Sequence, residues 1–156
     1  MSEQQCPCGQ QASYEKCCQP LHQGVHHAAD AQQLMRSRYC AFVKQEVDYI
    51  IKTTALKQQT LLDRDALMQW SQQTEWLYLD IIDFQPQLDK THASVEFKVF
   101  YQSGANQASH HEQSYFVKHK NKWYFIDPTV EQVLTLKQPC LCGGAKKFKH
   151  CCALYL

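Results

Sequence analysis

Cysteine is the residue type in this sequence whose placement calls for chemistry. Of nine cysteines, eight lie in the first 18 and last 17 residues, and only Cys40 falls between them. Residues 6 to 18 read Cys6-Pro7-Cys8-Gly9-Gln10-Gln11-Ala12-Ser13-Tyr14-Glu15-Lys16-Cys17-Cys18. Residues 140 to 152 read Cys140-Leu141-Cys142-Gly143-Gly144-Ala145-Lys146-Lys147-Phe148-Lys149-His150-Cys151-Cys152. Both are Cys-x-Cys-Gly, seven further residues, then Cys-Cys, with an aromatic residue at the same offset (Tyr14, Phe148). Four thiolates form the tetrahedral donor set of a structural zinc site. Two cysteines one residue apart can grip an ion from a tight turn. The glycine that follows allows a positive φ or a close approach of backbone N–H to sulfur. Four thiolates on a divalent ion leave a net charge of about −2, which neighbouring lysines would offset. We therefore expect two zinc ions, one on Cys6, Cys8, Cys17 and Cys18, the other on Cys140, Cys142, Cys151 and Cys152. Iron suits the same donors, but nothing else in the chain points to redox work. Disulfides are the competing reading, disfavoured by the crowding of the cysteines and by a chain that reads as cytoplasmic.

The elements that must carry these knuckles lie between them. At 156 residues, with 44% apolar and 20% charged residues, the composition is that of an ordinary globular protein. No run approaches the roughly 18 apolar residues of a membrane span. The opening Met1-Ser2-Glu3-Gln4-Gln5 is polar, without the apolar core of a secretory signal. A net charge of +1 supplies little counterion-release drive and argues against nucleic acid as a partner. From Asp30, a candidate N-cap, to about Thr53, apolar residues recur at helical spacing through Met35, Tyr39, Phe42, Val43 and Ile50, with a break near Val47. Leu61 to Gln73 reads as a further helix. After Thr74 the period becomes two, in runs over 75–84, 93–101, 110–118 and 122–126, and the first run has apolar residues on both faces. Turns fall at Pro86 to Lys90, Ser103 to Asn106 and Lys120-Asn121. Helices followed by four consecutive strands predict an α+β domain, with the helices on one face of an antiparallel sheet.

The terminal motifs resemble the SEC-C motif, a zinc knuckle best known from the tail of the translocase ATPase SecA, with the pattern Cys-Pro-Cys-Gly-Ser-Gly-Lys-Lys-Tyr-Lys-x-Cys-His/Cys. That resemblance implies zinc and the docking of partner proteins, such as the chaperone SecB in SecA. Lys146, Lys147, Phe148 and Lys149 keep its basic–aromatic core and are the expected protein-binding residues, toward an acidic protein surface. The N-terminal copy has Gln11 to Glu15 there instead, which suits a structural role. Over its whole length the chain also resembles the YchJ family, on the runs Leu34-Met35-Arg36-Ser37-Arg38-Tyr39-Cys40-Ala41-Phe42-Val43 and Lys122-Trp123-Tyr124-Phe125-Ile126-Asp127. This implies an NTF2-like cone, helices packed on a curved antiparallel sheet, flanked by the two knuckles. The expected division is 1–22, 28–134 and 137–156. The resemblance also implies dimerisation through the sheet, which the residues themselves do not demand.

Arg38 borders the apolar stripe of its helix, and a buried arginine needs a polar or acidic partner. Glu96, Glu112 and Ser114 are the candidates to share a pocket with it. The plainer reading is an ion pair fixing helix to sheet. Cys40 reads as a small buried side chain, Trp70, Trp76 and Trp123 as core, and the pairs His26-His27 and His110-His111 as solvated. The function expected is a non-enzymatic adaptor whose basic C-terminal knuckle docks a partner. The alternative is an NTF2-like small-ligand binder or enzyme, with the knuckles as structural clips.

Overall fold

The computed structural model describes residues 4–131 and 134–156. The polar opening residues Met1 to Glu3, and residues 132–133 on the way to the second knuckle, lie outside this description.

Helix α1 (Gln19–His22) closes the first knuckle and leads into α2 (Ala31–Lys44), which crosses the sheet. Asp30 caps α2 as expected, its Oδ1 accepting from Gln33 N–H at 2.8 Å. The helix stops at Gln45, which adopts φ +62°, and Glu46 N–H returns to Ala41 C=O at 2.8 Å. Helix α3 (Val47–Lys52) follows, so the break falls beside the expected position. Leu61 and Leu62 do not join the next helix. Leu56–Leu61 form a 3-10 segment, and α4 (Arg64–Gln73) starts only after Asp63, whose carboxylate accepts from Ala66 N–H at 3.1 Å. A capping side chain there decides the boundary against the apolar pattern.

Four strands, β1 (Glu75–Gln85), β2 (His92–Ser103), β3 (Asn106–His119) and β4 (Lys122–Ile126), pair antiparallel in the order β1-β2-β3-β4. Lys120 and Asn121 take φ of +50° and +64° between β3 and β4, the conformation whose twist suits a two-residue hairpin. A short parallel bridge between Thr54 and Phe125, with Ala55 N–H to Phe125 C=O at 2.8 Å and Phe125 N–H to Thr53 C=O at 2.7 Å, covers the β4 edge.

Strand parity divides the sheet. Val95 with Ser114, Phe97 with Glu112 and Val99 with His110 face the helices. His92 with Val117 and Ser94 with Tyr115 face the other way. The main core joins Leu34, Met35, Tyr39, Ile50, Val95 and Phe116. Strand β1 departs from expectation: Leu77, Tyr78 and Ile82 are exposed, so only one of its faces is covered. Its register shifts at Trp76/Tyr78 and Ile81/Asp83, irregularities common at sheet edges.

Helix α2 is buried on two stripes. Leu34, Met35, Arg38 and Tyr39 face the sheet side, whereas Ser37 and Cys40 meet the first knuckle. The second knuckle packs on the opposite side of the sheet, against Val117, Ile126, Tyr115 and Tyr124.

Candidate metal centres and a central cavity

The two knuckles share one backbone frame. Cys6 N–H reaches Ala12 C=O at 2.8 Å, and Cys140 N–H reaches Lys146 C=O at 3.0 Å. Gly9 N–H to Cys6 C=O and Gly143 N–H to Cys140 C=O are both 3.1 Å, and both glycines take a positive φ, +94° and +88°. Cys17 N–H to Tyr14 C=O and Cys151 N–H to Phe148 C=O are again both 3.1 Å. This frame folds each Cys-x-Cys and its Cys-Cys together, so that in each cluster the four sulfurs lie within 4.8 Å of one another. None of the nine cysteines is in a disulfide; Cys8 and Cys17 sulfurs stand 3.5 Å apart, well beyond the roughly 2.05 Å of such a bond. In the second knuckle, Gly144 N–H points at Cys142 Sγ and Cys152 N–H at Cys140 Sγ, each at 3.4 Å, as donors to thiolates do. Hydrogen bonds from neighbouring thiols, Cys18 foremost, pull Cys6 far down, and Cys142 foremost does the same to Cys140. The same crowding pushes Cys18 and Cys152 up, Cys40 acting most on Cys18 and Cys140 on Cys152. Four sulfurs so placed hold their charge together only around a cation, and the donor set fits a tetrahedral metal ion.

The surroundings of the clusters include two residues that sequence reasoning missed. Cys40 is not merely a space-filler: its sulfur lies 3.8 Å from that of Cys6, inside the first cysteine cluster. His92, 1% exposed, brings Nε2 to 3.4 Å from Cys152 Sγ and 3.8 Å from Cys151 Sγ. Its Nδ1–H donates to Asp89 at 2.9 Å, and Asp89 Oδ2 accepts from Tyr155 O–H at 2.7 Å. Burial alone would raise the Asp89 carboxyl, but bonds from Tyr155, Thr91 N–H and His92 hold it down at about 2. A carboxylate–histidine pair behind a metal ligand is a recurrent way of fixing that ligand. The Asp-x-x-His spacing at the start of β2 was the available signal, hidden because its target lies 60 residues away in sequence.

Of the residues expected to dock a partner, Lys146 and Lys147 are exposed and Lys149 is half-buried. Phe148 requires correction. It is 5% exposed and packs with Val117 and Ile126 in the second core, so it clips the knuckle to the sheet and is not offered to a partner.

The expected pocket residues divide in the same manner. Arg38, Glu112 and Ser114 line a cavity of about 940 Å³ between α2, α4 and the inner sheet face. Glu96 is excluded by parity: it faces the opposite side of β2 from Phe97 and accepts from His111 Nε2–H at 2.6 Å. The helix-to-sheet ion pair is also absent among the described residues. Arg38 Nη1 instead donates to Ile50 C=O and Thr53 Oγ1, both at 2.8 Å, and its guanidinium stacks 4.4 Å from the centre of the Phe125 ring. Trp70 is not core either. It is 54% exposed at the cavity rim, packed edge-on against Phe42 and Trp76. His110 and His111 are each engaged by a glutamate, His110 Nε2 lying 2.8 Å from Glu112.

An α+β body with a helix-covered antiparallel sheet, carrying one four-cysteine cluster at each end, defines an NTF2-like protein with paired SEC-C knuckles. Residues 30–128 match the family described as YchJ, middle NTF2-like domain, and the chain belongs to the YchJ family. A UPF0225 protein of Actinobacillus succinogenes is 46% identical over 151 residues, covering 97% of each chain. One from Haemophilus influenzae is also 46% identical, over all of this chain and 96% of its own. Among solved structures, a SEC-C motif containing protein from Psychrobacter arcticus superposes with a TM-score of 0.92 at 42% identity, over 98% of this chain and 97% of its own. Another, from Rhodopseudomonas palustris, has a TM-score of 0.73 at 34% identity, over 80% of this chain and 96% of its own. No helix among the described residues is long and apolar enough to cross a membrane.

Proposed function

We propose that each cysteine cluster binds one zinc ion and that the protein is a non-enzymatic adaptor, docking an acidic protein surface through its C-terminal knuckle. The observation that carries this reading is a contrast within one frame. The exposed turn that presents Lys146 and Lys147 is built like the turn around Ala12 and Ser13, yet only the second copy is basic. Two exposed lysines on one turn raise the local positive charge, which favours a charge-steered encounter with an acidic patch. SecB, which the resembling SecA knuckle docks, is the type of partner that analogy suggests.

Zinc is tested by native mass spectrometry of the chain purified without chelator, where two ions per chain are expected, one per cluster. Docking is tested by capture from a bacterial lysate with the intact chain, with Cys151→Ser plus Cys152→Ser, and with Lys146→Glu plus Lys147→Glu. The reading holds if an acidic protein is recovered by the first chain alone. Equal recovery by all three would leave the knuckles as structural clips.

A further inference from the structure

The central cavity contains a buried cation that the protein leaves half-bonded. Arg38 is 6% exposed, and among the described residues no carboxylate lies within 4 Å of its guanidinium. Only Nη1 makes hydrogen bonds; Nε and Nη2 have no partner among the described residues. Arg38 lines the cavity, and Ser13 Oγ is the one fully buried side-chain polar atom without a partner among the described residues, so neither of these nitrogens is fully buried. Four acids line the cavity: Asp63 and Glu131 are exposed at its rim, and the two deeper ones are engaged with other groups. Glu112 accepts from Ser114 O–H at 2.9 Å and pairs with His110 at 2.8 Å, while Asp127 Oδ1 accepts from Thr129 N–H at 2.8 Å and from its hydroxyl. Burial lowers Arg38 to about 10 against the opposing pull of Asp127 and Glu112, whose charges act on it from beyond contact distance, and it stays charged at neutral pH. A desolvated charge of this kind is costly unless an anion meets it.

The rest of the cavity is of another character. Phe42, Trp70 and Trp76, from α2, α4 and β1, form an aromatic cluster along its lining, joined by Tyr39 and Phe97. A volume of about 940 Å³ is that of a small-molecule site, mostly apolar with a few converging polar groups. We propose that this cavity binds a small amphipathic carboxylate, its anionic end held by the Nε–Nη2 edge of Arg38 and its apolar body lying among Tyr39, Phe42, Trp70 and Trp76. A planar guanidinium edge with two adjacent donors takes a carboxylate in a two-point contact. The site is independent of the knuckles and of what they dock.

The test uses the full-length, zinc-loaded chain and a matched pair of probes, 4-phenylbutyrate and 4-phenylbutyramide, followed by ¹⁵N NMR titration. The carboxylate should bind at least about tenfold more tightly than the amide, the difference expected for one charge-assisted contact, and should shift the indole N–H signals of Trp70 and Trp76. Arg38→Gln should abolish that preference. Should this variant not fold, the comparison on the unmodified chain still decides. In addition, Trp70→Ala, at the half-exposed rim, should weaken both probes alike and keep their ratio. Equal affinity for the two probes, shifts confined to the surface away from the tryptophans, or no saturable binding would each overturn the proposal.

Discussion

The two knuckles have the same skeleton and opposite attachments. The first leans on a helix: Arg36 Nη1 donates to Cys8 C=O at 2.8 Å, and Cys40 supplies a sulfur beside Cys6. Tyr14 stays half-buried, donating to His22 Nδ1 at 2.8 Å, while His22 Nε2–H donates to Ser37 C=O at 2.9 Å. Burial lowers the His22 pKa, in keeping with a neutral ring that must both accept and donate. The second knuckle leans on a sheet. Its aromatic, Phe148, goes into an apolar core with Val117 and Ile126, and its last cysteine meets the buried His92. The four-cysteine frame is thus the same in both places, and the residues between the ligands decide what it is attached to. A polar attachment holds the first copy and an apolar one the second.

The sharpest way to break this contrast is to disable one cysteine cluster at a time. Cys151→Ser plus Cys152→Ser should cost more stability than Cys17→Ser plus Cys18→Ser. Disrupting the second cluster should release Phe148 and Leu141 and bare Val117 and Ile126 of the sheet, whereas the first cluster buries little besides cysteines. Structural zinc contributes many kcal/mol in small domains, so the melting temperature should fall by about 10 °C or more for the C-terminal pair. Calorimetry of both double variants checks the order, and a larger fall for the N-terminal pair would reverse it.

Next in size is His92→Phe. If this ring fixes Cys152, the C-terminal site should lose about 10- to 100-fold in zinc affinity while the N-terminal site keeps its own. Chelator competition resolves the two sites. Asp89→Asn should act in the same direction and less strongly, because the Tyr155 and Thr91 bonds to that side chain can persist in part.

Gly143→Ala and Gly9→Ala compare the frames directly. Both glycines sit at positive φ, where an alanine costs about 1–2 kcal/mol. At Gly143 a new Cβ would also stand 2.9 Å from Leu56 Cδ1 and 3.3 Å from His119 Nε2. At Gly9 it meets Arg36 Nη1 at 3.3 Å and the Leu79 carbonyl oxygen at an ordinary 3.9 Å, with no contact below 3.0 Å. Denaturant unfolding should therefore rank Gly143→Ala as the more damaging of the two.

Much of this was legible in the sequence, for physical reasons that differ by element. The knuckles announced themselves because metal ligands are local in sequence and their frame repeats. Asp30 and the hairpin turns were readable since caps and turns are set by near neighbours. Period-two alternation gave the sheet, and the same parity excludes Glu96 from the cavity, since it alternates with Val95 and Phe97. What stayed hidden depends on tertiary neighbours. His92 faces a cysteine 60 residues on, Cys40 meets Cys6 across 34, and Phe148 is buried only because the sheet's outer face lies beneath it. Arg38 was marked as buried, but its partners proved to be a carbonyl and hydroxyls at the end of α3 and not an acid across the sheet.

The smallest effect on stability should accompany the largest expected effect on docking. Lys146 and Lys147 are exposed and take part in none of the contacts that hold the knuckle to the sheet except through their backbone. Reversing both to Glu should move unfolding by no more than about 0.5 kcal/mol and leave the zinc content unchanged. An acidic partner should nonetheless be lost, and its binding to the unmodified chain should weaken as salt is raised toward 0.5 M, where exposed charges no longer steer it. Glu15→Lys places a lysine on the N-terminal knuckle at the counterpart of Lys149, on an exposed position of the same frame. If it leaves partner binding unchanged, the division between a clip and a docking knuckle stands. If it creates or strengthens binding, charge alone selects the docking knuckle, and the different attachments to helix and sheet have no part in that choice.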